Sequence, residues 1–404
     1  MSFDYVGFAI AFTTVYGIYS MLGVSLNLEY GYAGQPNFGQ VLFYAIGAYV
    51  AGTIAANLLP MLAGVATGNI CDVSSLVQRE AIAIADPVIS VSVWVLALIF
   101  SMAAGGIIGL VVSYPALRVK EEWFLSMILL VAGEMFRIFV QNTQQVGCGF
   151  NGLAGIVNPL NWIEKYFPGS QVLQAEVPSG LYAGIVLALA IACFLIAQRI
   201  GNSPYGRLLK SIRDDKVASE SLGKDVSKVR KQIMIIGSIM AGLAGALYVY
   251  YIGTAVTDDY IPAVTFSIWV MMILGGYANN RGLLVGAFVI TMLDRGSLVL
   301  GVLMEGWFPN FNPSLLIYAR YMVESVVLIL LLVFRQKGLF PETRIKTKAY
   351  TLFDFGASKA QGKKEPVTES LTEGSKQGEV QSNQVATDSS LVDSDTSGGS
   401  SRTK

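Results

Sequence analysis

The stretch VISVSVWVLALIFSMAAGGIIGLVVS, residues 88–113, holds no charged residue. A helix needs about 20 largely apolar residues to cross about 30 Å of hydrocarbon while satisfying its own backbone hydrogen bonds. This run is long enough, and too uniformly apolar for a helix with one wet face. Applied outward along the chain, the same test predicts about nine spans: 4–28, 38–59, 88–113, 122–141, 178–198, 232–253, 264–277, 283–301 and 315–334. The expected fold is therefore all-α, a polytopic bundle of transmembrane helices. Composition agrees, since 53% of the 404 residues are hydrophobic and only 14% are charged. The run 264–277 is short, and Gly275 to Gly282 after it reads as a turn between spans rather than a broken helix.

Orientation follows from Lys and Arg, which collect on the cytoplasmic side. With the N-terminus outside, the inner segments 29–37, 114–121, 199–231, 278–282 and 335 onward hold 23 of the 28 basic residues. The outer segments hold only Arg79 and Lys165. The expected topology thus has the N-terminus outside and the C-terminus inside. The opening MSFDYVG has no basic n-region and no small-residue cleavage site, so the first run reads as a retained span. A transmembrane domain is expected over 1–345, with a disordered polar cytoplasmic tail over 346–404, where Ser, Thr, Gly and Gln replace the apolar residues that could offset ordering entropy.

Several chemistries are disfavoured. There is no His, which removes the commonest general base and the commonest transition-metal ligand. Cys71, Cys148 and Cys193 are too scattered for a zinc or iron–sulfur pattern, so neither a metal nor another cofactor is expected. Cys71 and Cys148 should lie outside, where they could pair, and Cys193 within a span. The glycine-rich Gly147 to Gly155 lacks the Lys-Ser/Thr of a phosphate loop. An enzyme reading is weak, any ATP-driven function needs a partner, and nothing points to nucleic acid.

Charges inside spans are costly and therefore informative. Each basic one here has an acidic neighbour: Glu134 with Arg137, Asp294 with Arg295, and Arg320 with Glu324. Such pairs read either as a polar pathway wall or as devices that fix helix register, with Arg295 and Arg320 able to snorkel to headgroups. Asn27, Gln35, Asn37, Glu134 and Arg137 are the candidates for a translocation pathway. Small residues four apart, such as Gly105 with Gly109 and Ala241 with Gly245, read as close helix packing.

The inner loop 199–231 is more than a linker. Ser203-Pro204 reads as N-cap and first helical residue, Asp214 or Asp215 can cap a second short helix ending at Gly223, and Asp225 can cap the next span. Apolar Leu208, Leu209, Ile212, Val217, Ala218 and Leu222 lie among nine basic residues. The residues allow a docking element for a cytoplasmic partner or an amphipathic helix against anionic lipid headgroups.

Taken together, these stretches resemble the LivM-type permease family of branched-chain amino-acid ABC transporters. Leu26-Asn27-Leu28-Glu29-Tyr30-Gly31-Tyr32-Ala33-Gly34-Gln35-Pro36-Asn37-Phe38-Gly39-Gln40, then Ile46-Gly47-Ala48-Tyr49, is similar to the family's opening signature, with Pro36-Asn37 as a departure. Gly147 to Ile156 resembles its G-NGL-GI element. Gly206-Arg207, Ser211 to Asp215, Glu220 to Gly223, Ala241 to Tyr248, Gly275-Gly276 and Gly286-Ala287 follow in the expected order. The resemblance implies that Gly206, Arg207, Arg213, Asp214, Asp215, Glu220 and Gly223 belong to a segment that meets an ATPase subunit. It also implies a LivH-like second permease subunit, two cytoplasmic ATPase subunits and an extracytoplasmic solute-binding protein, assembled in the lipid of the plasma membrane. Urea and short-chain amide permeases have similar loops, so the solute could be one of these. A secondary amino-acid transporter is the other alternative, although the opening signature has no second copy in the chain.

Overall fold

The computed structural model describes residues 4–65, 69–116, 122–307, 314–334 and 338–340. The expected tail 346–404, the 345/346 boundary and the basic residues Arg118 and Lys120 lie outside the described residues.

The helices run α1 Tyr5–Leu26, α2 Gln40–Leu62, α3 Val73–Ala85, α4 Pro87–Ala116, α5 Glu122–Asn142, α6 Gln144–Gly147 and α7 Gln171–Asn202. They continue as α8 Pro204–Asp214, α9 Lys216–Ser221, α10 Val226–Ile252, α11 Pro262–Gly275, α12 Asn280–Trp307 and α13 Ser314–Phe334. A helix thus stands at each expected span. Among the described residues, seven helices are long and apolar enough to cross a membrane, and α11 is a shorter apolar helix of 14 residues. The turn expected after α11 is present: Gly276 ends the helix at φ 106°, and α12 starts at Asn280.

The centre is α10, packed on α4, α2 and α1. Its small residues allow this. A Cβ at Gly105 would meet the carbonyl oxygen of Ser238, at Gly47 the backbone of Gly242, and at Gly245 the backbone of Tyr44. Close approach in lipid rests on dispersion between such smooth surfaces rather than on expulsion of water. Cys193 is buried on α7, as its position in a span predicts.

Arg295 and Arg320 do not act as separate snorkelling side chains. Asp294 pairs with both Arg320 and Arg295, Arg320 reaches Glu324 at 3.6 Å, and the Ser267 hydroxyl donates to Glu324 at 2.6 Å. Asp294 and Glu324 are buried, so this network ties α11, α12 and α13 together. Ionised groups at such depth persist only when each finds a partner.

The two ends differ. One carries α8 and α9. The other carries α3, a disulfide between Cys71 and Cys148 with Cα atoms 5.5 Å apart, and a two-stranded bridge of β1 Leu153–Ala154 with β2 Thr254–Ala255. Arg79 on α3 donates to the carbonyls of Ile70 and Ala154, which closes this cap over the helix ends.

Candidate functional site

The opening signature forms a buried polar knot at the α8 end. The first helix does not stop near residue 28 as the apolar run suggests. It widens at Asn27–Tyr32 into π-helical turns, a geometry frequent at functional positions. Asn27, Glu29, Asn37 and Gln40 are all 0% exposed. Glu29 Oε2 accepts from Asn37 Nδ2 at 2.7 Å and Gln40 Nε2 at 3.0 Å. Gln40 also donates to the Ser25 hydroxyl, which donates onward to the carbonyl of Gly237 on α10. Gly237 has no alternative, because a Cβ there would occupy the position of the Glu29 carboxyl.

Neighbouring elements join at the same point. Asn27 Nδ2 donates to Asn280 Oδ1 at 2.7 Å, and Asn27 Oδ1 accepts from the backbone N–H of Ala278 at 2.9 Å. Trp269 Nε1 on α11 donates to the Asn37 carbonyl, and the Ser126 hydroxyl on α5 donates to the Pro36 carbonyl. The signature is therefore a junction of α1, α2, α5, α10, α11 and α12. Asn27 and Asn37 are fully enclosed in it, and Gln35 beside it is 3% exposed.

The loop over 199–231 folds as its caps predict. The Ser203 hydroxyl accepts from Gly206 N–H, Asp215 from Ala218 N–H and Asp225 from Lys228 N–H. Of the two capping candidates, Asp215 takes the role, while Asp214 is paired with Arg213 at 3.3 Å. Gly206 packs on the backbone of Ile200 and Gly201, where a Cβ would collide. Gly223 adopts φ 74° with open space around it, the left-handed helix ending that favours glycine. Arg207, Glu220, Val217 and Leu222 are exposed, whereas Leu209 and Ile212 are buried against the bundle.

The two regions meet through Arg213. Its Nη1 donates to the Gly31 carbonyl at 2.6 Å, and its stem lies on Gly34, where φ is 70° and a Cβ would sit 2.8 Å from Arg213 Cγ. Lys210 stands 5.3 Å above the Tyr32 ring. A cavity of ≈ 330 Å³ opens here, lined by Tyr30, Gly34, Pro36, Trp123, Arg213 and Tyr277. Outside the membrane-spanning segments, burial raises the pKa of the Tyr205 phenol, whose hydroxyl is 3.2 Å from Gln232 Oε1.

Glu134 and Arg137 lie elsewhere, towards the capped end of α5. Arg137 Nε donates to both Glu134 oxygens at 3.0 Å, and its Nη1 is 3.7 Å from Asp258. The pathway candidates thus split into an enclosed knot and a partly exposed ion group.

Sequence reasoning passed over Glu29, Gln40, Gly237 and Asp258. Glu29 was within reach, being a carboxylate in a run otherwise apolar, but a span boundary at residue 28 assigned it to a loop. Gly237 carries no signal of its own, since its role exists only once α10 lies against α1.

Comparison with known proteins is consistent with this geometry. The chain is 29% identical over 342 residues to the probable branched-chain amino acid transport permease protein LivM of Methanocaldococcus jannaschii, covering 82% of this chain and 93% of that protein. It is 25% identical over 351 residues to the high-affinity branched-chain amino acid transport system permease protein LivM of Escherichia coli, covering 82% and 69%. A probable permease protein LivH of M. jannaschii is 23% identical over 79% of this chain and 87% of that protein. No solved structure matches. Residues 8–334 match the family described as branched-chain amino acid transport system, permease component. With its apolar helices and this match over most of its length, the chain belongs to that family of multi-pass plasma-membrane permeases.

Proposed function

We propose that this chain is one permease subunit of an ABC importer for branched-chain amino acids, with nine spans, the N-terminus outside, and α8–α9 facing the cytoplasm. Cytoplasmic ATPase subunits dock on α8 and α9, where Arg207, Glu220, Val217 and Leu222 are exposed. A LivH-like permease completes the membrane core, and a solute-binding protein delivers the amino acid to the disulfide-bearing end. That placement suits the chemistry, because a disulfide persists in an oxidising compartment and not beside cytoplasmic thiols.

The observation that carries this reading is the Arg213 link. A capped, rigid pair of helices is joined by a charge-assisted bond to the Gly31 carbonyl, and thereby to a junction of six helices. A partner that binds two states of α8–α9 differently can shift the pore between two conformations through such a connection.

The test is uptake of leucine into vesicles holding the full chain with its partner permease, ATPases and binding protein. Uptake should need internal ATP and no ion gradient. Arg213→Ala should retain bound ATPase subunits while uptake falls roughly tenfold or more, the worth of one such hydrogen bond. Uptake that survives ATP depletion and follows an imposed proton or sodium gradient would identify a secondary transporter instead. Transport of urea or acetamide with no transport of leucine would reassign the solute.

A further inference from the structure

The ion group of Glu134, Arg137 and Asp258 stands where lipid would be expected. α11 has 14 residues and rises about 21 Å, roughly 9 Å short of the hydrocarbon thickness. The segment 256–261 that precedes it, with a helical turn at Thr257–Tyr260, therefore descends below the level at which α10 ends. Arg137 lies five residues before the end of α5, about 8 Å down the same side. Non-helical backbone at that depth is stable only when buried in protein or bordering water.

This segment does both. Tyr260 and Thr257 are buried, with Tyr260 against Tyr44 and Tyr49, whereas the Asp258 side chain is 69% exposed on the α5 side. Glu134 and Arg137 keep 33% and 20% of their side chains exposed. Val131, Met135 and Ile138 on the same helix are exposed as well. Three partly exposed charges, two on a spanning helix and one on the segment beside it, do not face hydrocarbon when an alternative exists. A second permease subunit of the same family is a fitting occupant, since M. jannaschii, with both a LivM-named and a LivH-named relative of this chain, has two such permeases in one organism.

We propose that the flank of α5 and the segment 256–261 face that second subunit across a water-filled path, and that Asp258 there receives the ammonium group of the passing amino acid. Charge favours this end of the solute. Glu134 saturates Arg137 through Nε and Nη2, leaving the 3.7 Å contact as the loose one, so one carboxylate of the three charges is available. Arg137 turns its remaining edge to Asp258 and positions that carboxylate. This inference rests on the permease reading above and adds the wall and the polarity of the path.

The chain suits thiol labelling, because Cys71 and Cys148 are bonded to each other and Cys193 is buried. In vesicles with the complete transporter, Met135→Cys should react with a membrane-impermeant maleimide at least tenfold faster than Ile191→Cys, a half-exposed position on α7. Equal rates would show that the α5 flank faces lipid or a dry interface and would overturn the path. Asp258→Asn should reduce leucine uptake about tenfold with ATPase assembly unchanged, and Asp258→Glu should restore most of it. Unchanged uptake in Asp258→Asn would overturn the ammonium contact. Labelling does not depend on transport, so a wild-type complex that fails to import leucine while Met135→Cys reacts would refute the solute and leave the wall standing.

Discussion

The two ends of this bundle are held by different physics. At the capped end the staple is covalent, with Cys71 bonded to Cys148, and further ties include a two-residue strand pair and Arg79 reaching backbone carbonyls. At the α8 end the polar knot is held by hydrogen bonds of buried side chains, and two of them share one acceptor, Glu29 Oε2. A disulfide resists deformation whatever its neighbours do. A shared-acceptor network is cooperative, and each member left alone is a buried group without a partner. The knot at the α8 end is thus the one whose integrity can be changed by small displacements, and Arg213 on Gly31 links it to α8.

The largest effect should come from breaking the knot sterically. Gly237→Val places a side chain where the Glu29 carboxyl sits, so the carboxyl must move and leave Asn37 and Gln40 without their acceptor. Overpacking combined with stranded buried groups costs about 3–5 kcal/mol. The expected result is little folded protein in detergent, read as monodisperse yield. A stable Gly237→Val variant would mean that the two ends do not differ in the way described.

Next is the staple. Cys71→Ser with Cys148→Ser opens a loop of 77 residues, for which loop-closure entropy gives about 4.5 kcal/mol. Helices that remain inserted already confine the chain, so about 2 kcal/mol is the expected loss, read as a lower unfolding midpoint. Leucine uptake should be retained at temperatures below that midpoint. If uptake is lost while the fold persists, the capped end carries function as well as stability.

A smaller change tests the partner surface. Glu220→Lys reverses one exposed charge on α9 and leaves helix propensity nearly unchanged, so insertion and folding should be normal. Co-purification of ATPase subunits should fall several-fold, with uptake following it. Binding that is indifferent to this reversal would return α8–α9 to the alternative of a helix lying against anionic headgroups.

Much of this was legible from residue types. Long apolar runs gave the helices, since the 3.6-residue period hardly matters when all faces are apolar, and Ser203, Pro204, Asp215, Asp225 and Gly223 gave the α8–α9 loop through local capping chemistry. Three features were not. Helix α3 is amphipathic and too polar for a hydropathy test. The π-helical turns over Asn27–Tyr32 are stabilised by contacts 200 and more residues away, with Asn280 and Ala278. Asp258 looks like a surface loop residue until the fold brings it within 3.7 Å of Arg137 on α5. Local chemistry is written locally, whereas such a contact depends on how distant segments pack.

The smallest effect isolates backbone strain within the α8 end. Gly206 and Gly223 flank the same pair of helices for opposite reasons. Gly206 is buried and needs its missing Cβ for the approach of α8 to α7, while Gly223 has no atom within 4 Å of that position and needs only φ 74°. A Cβ at Gly223 therefore costs left-handed strain alone, about 1 kcal/mol, and a β-branched side chain somewhat more. Gly223→Val should shift the start of α10 and reduce ATPase-coupled uptake, whereas Gly223→Asn, which tolerates that conformation, should stay near wild type. Gly206→Asn should not be rescued in this way, because its obstacle is the backbone of Ile200 and Gly201. Uptake and ATP turnover measured in one preparation of each variant decide the matter. If Asn fails at both positions, Gly223 is required by a contact made only in the assembled transporter, and α9 ends against a partner rather than in open solvent.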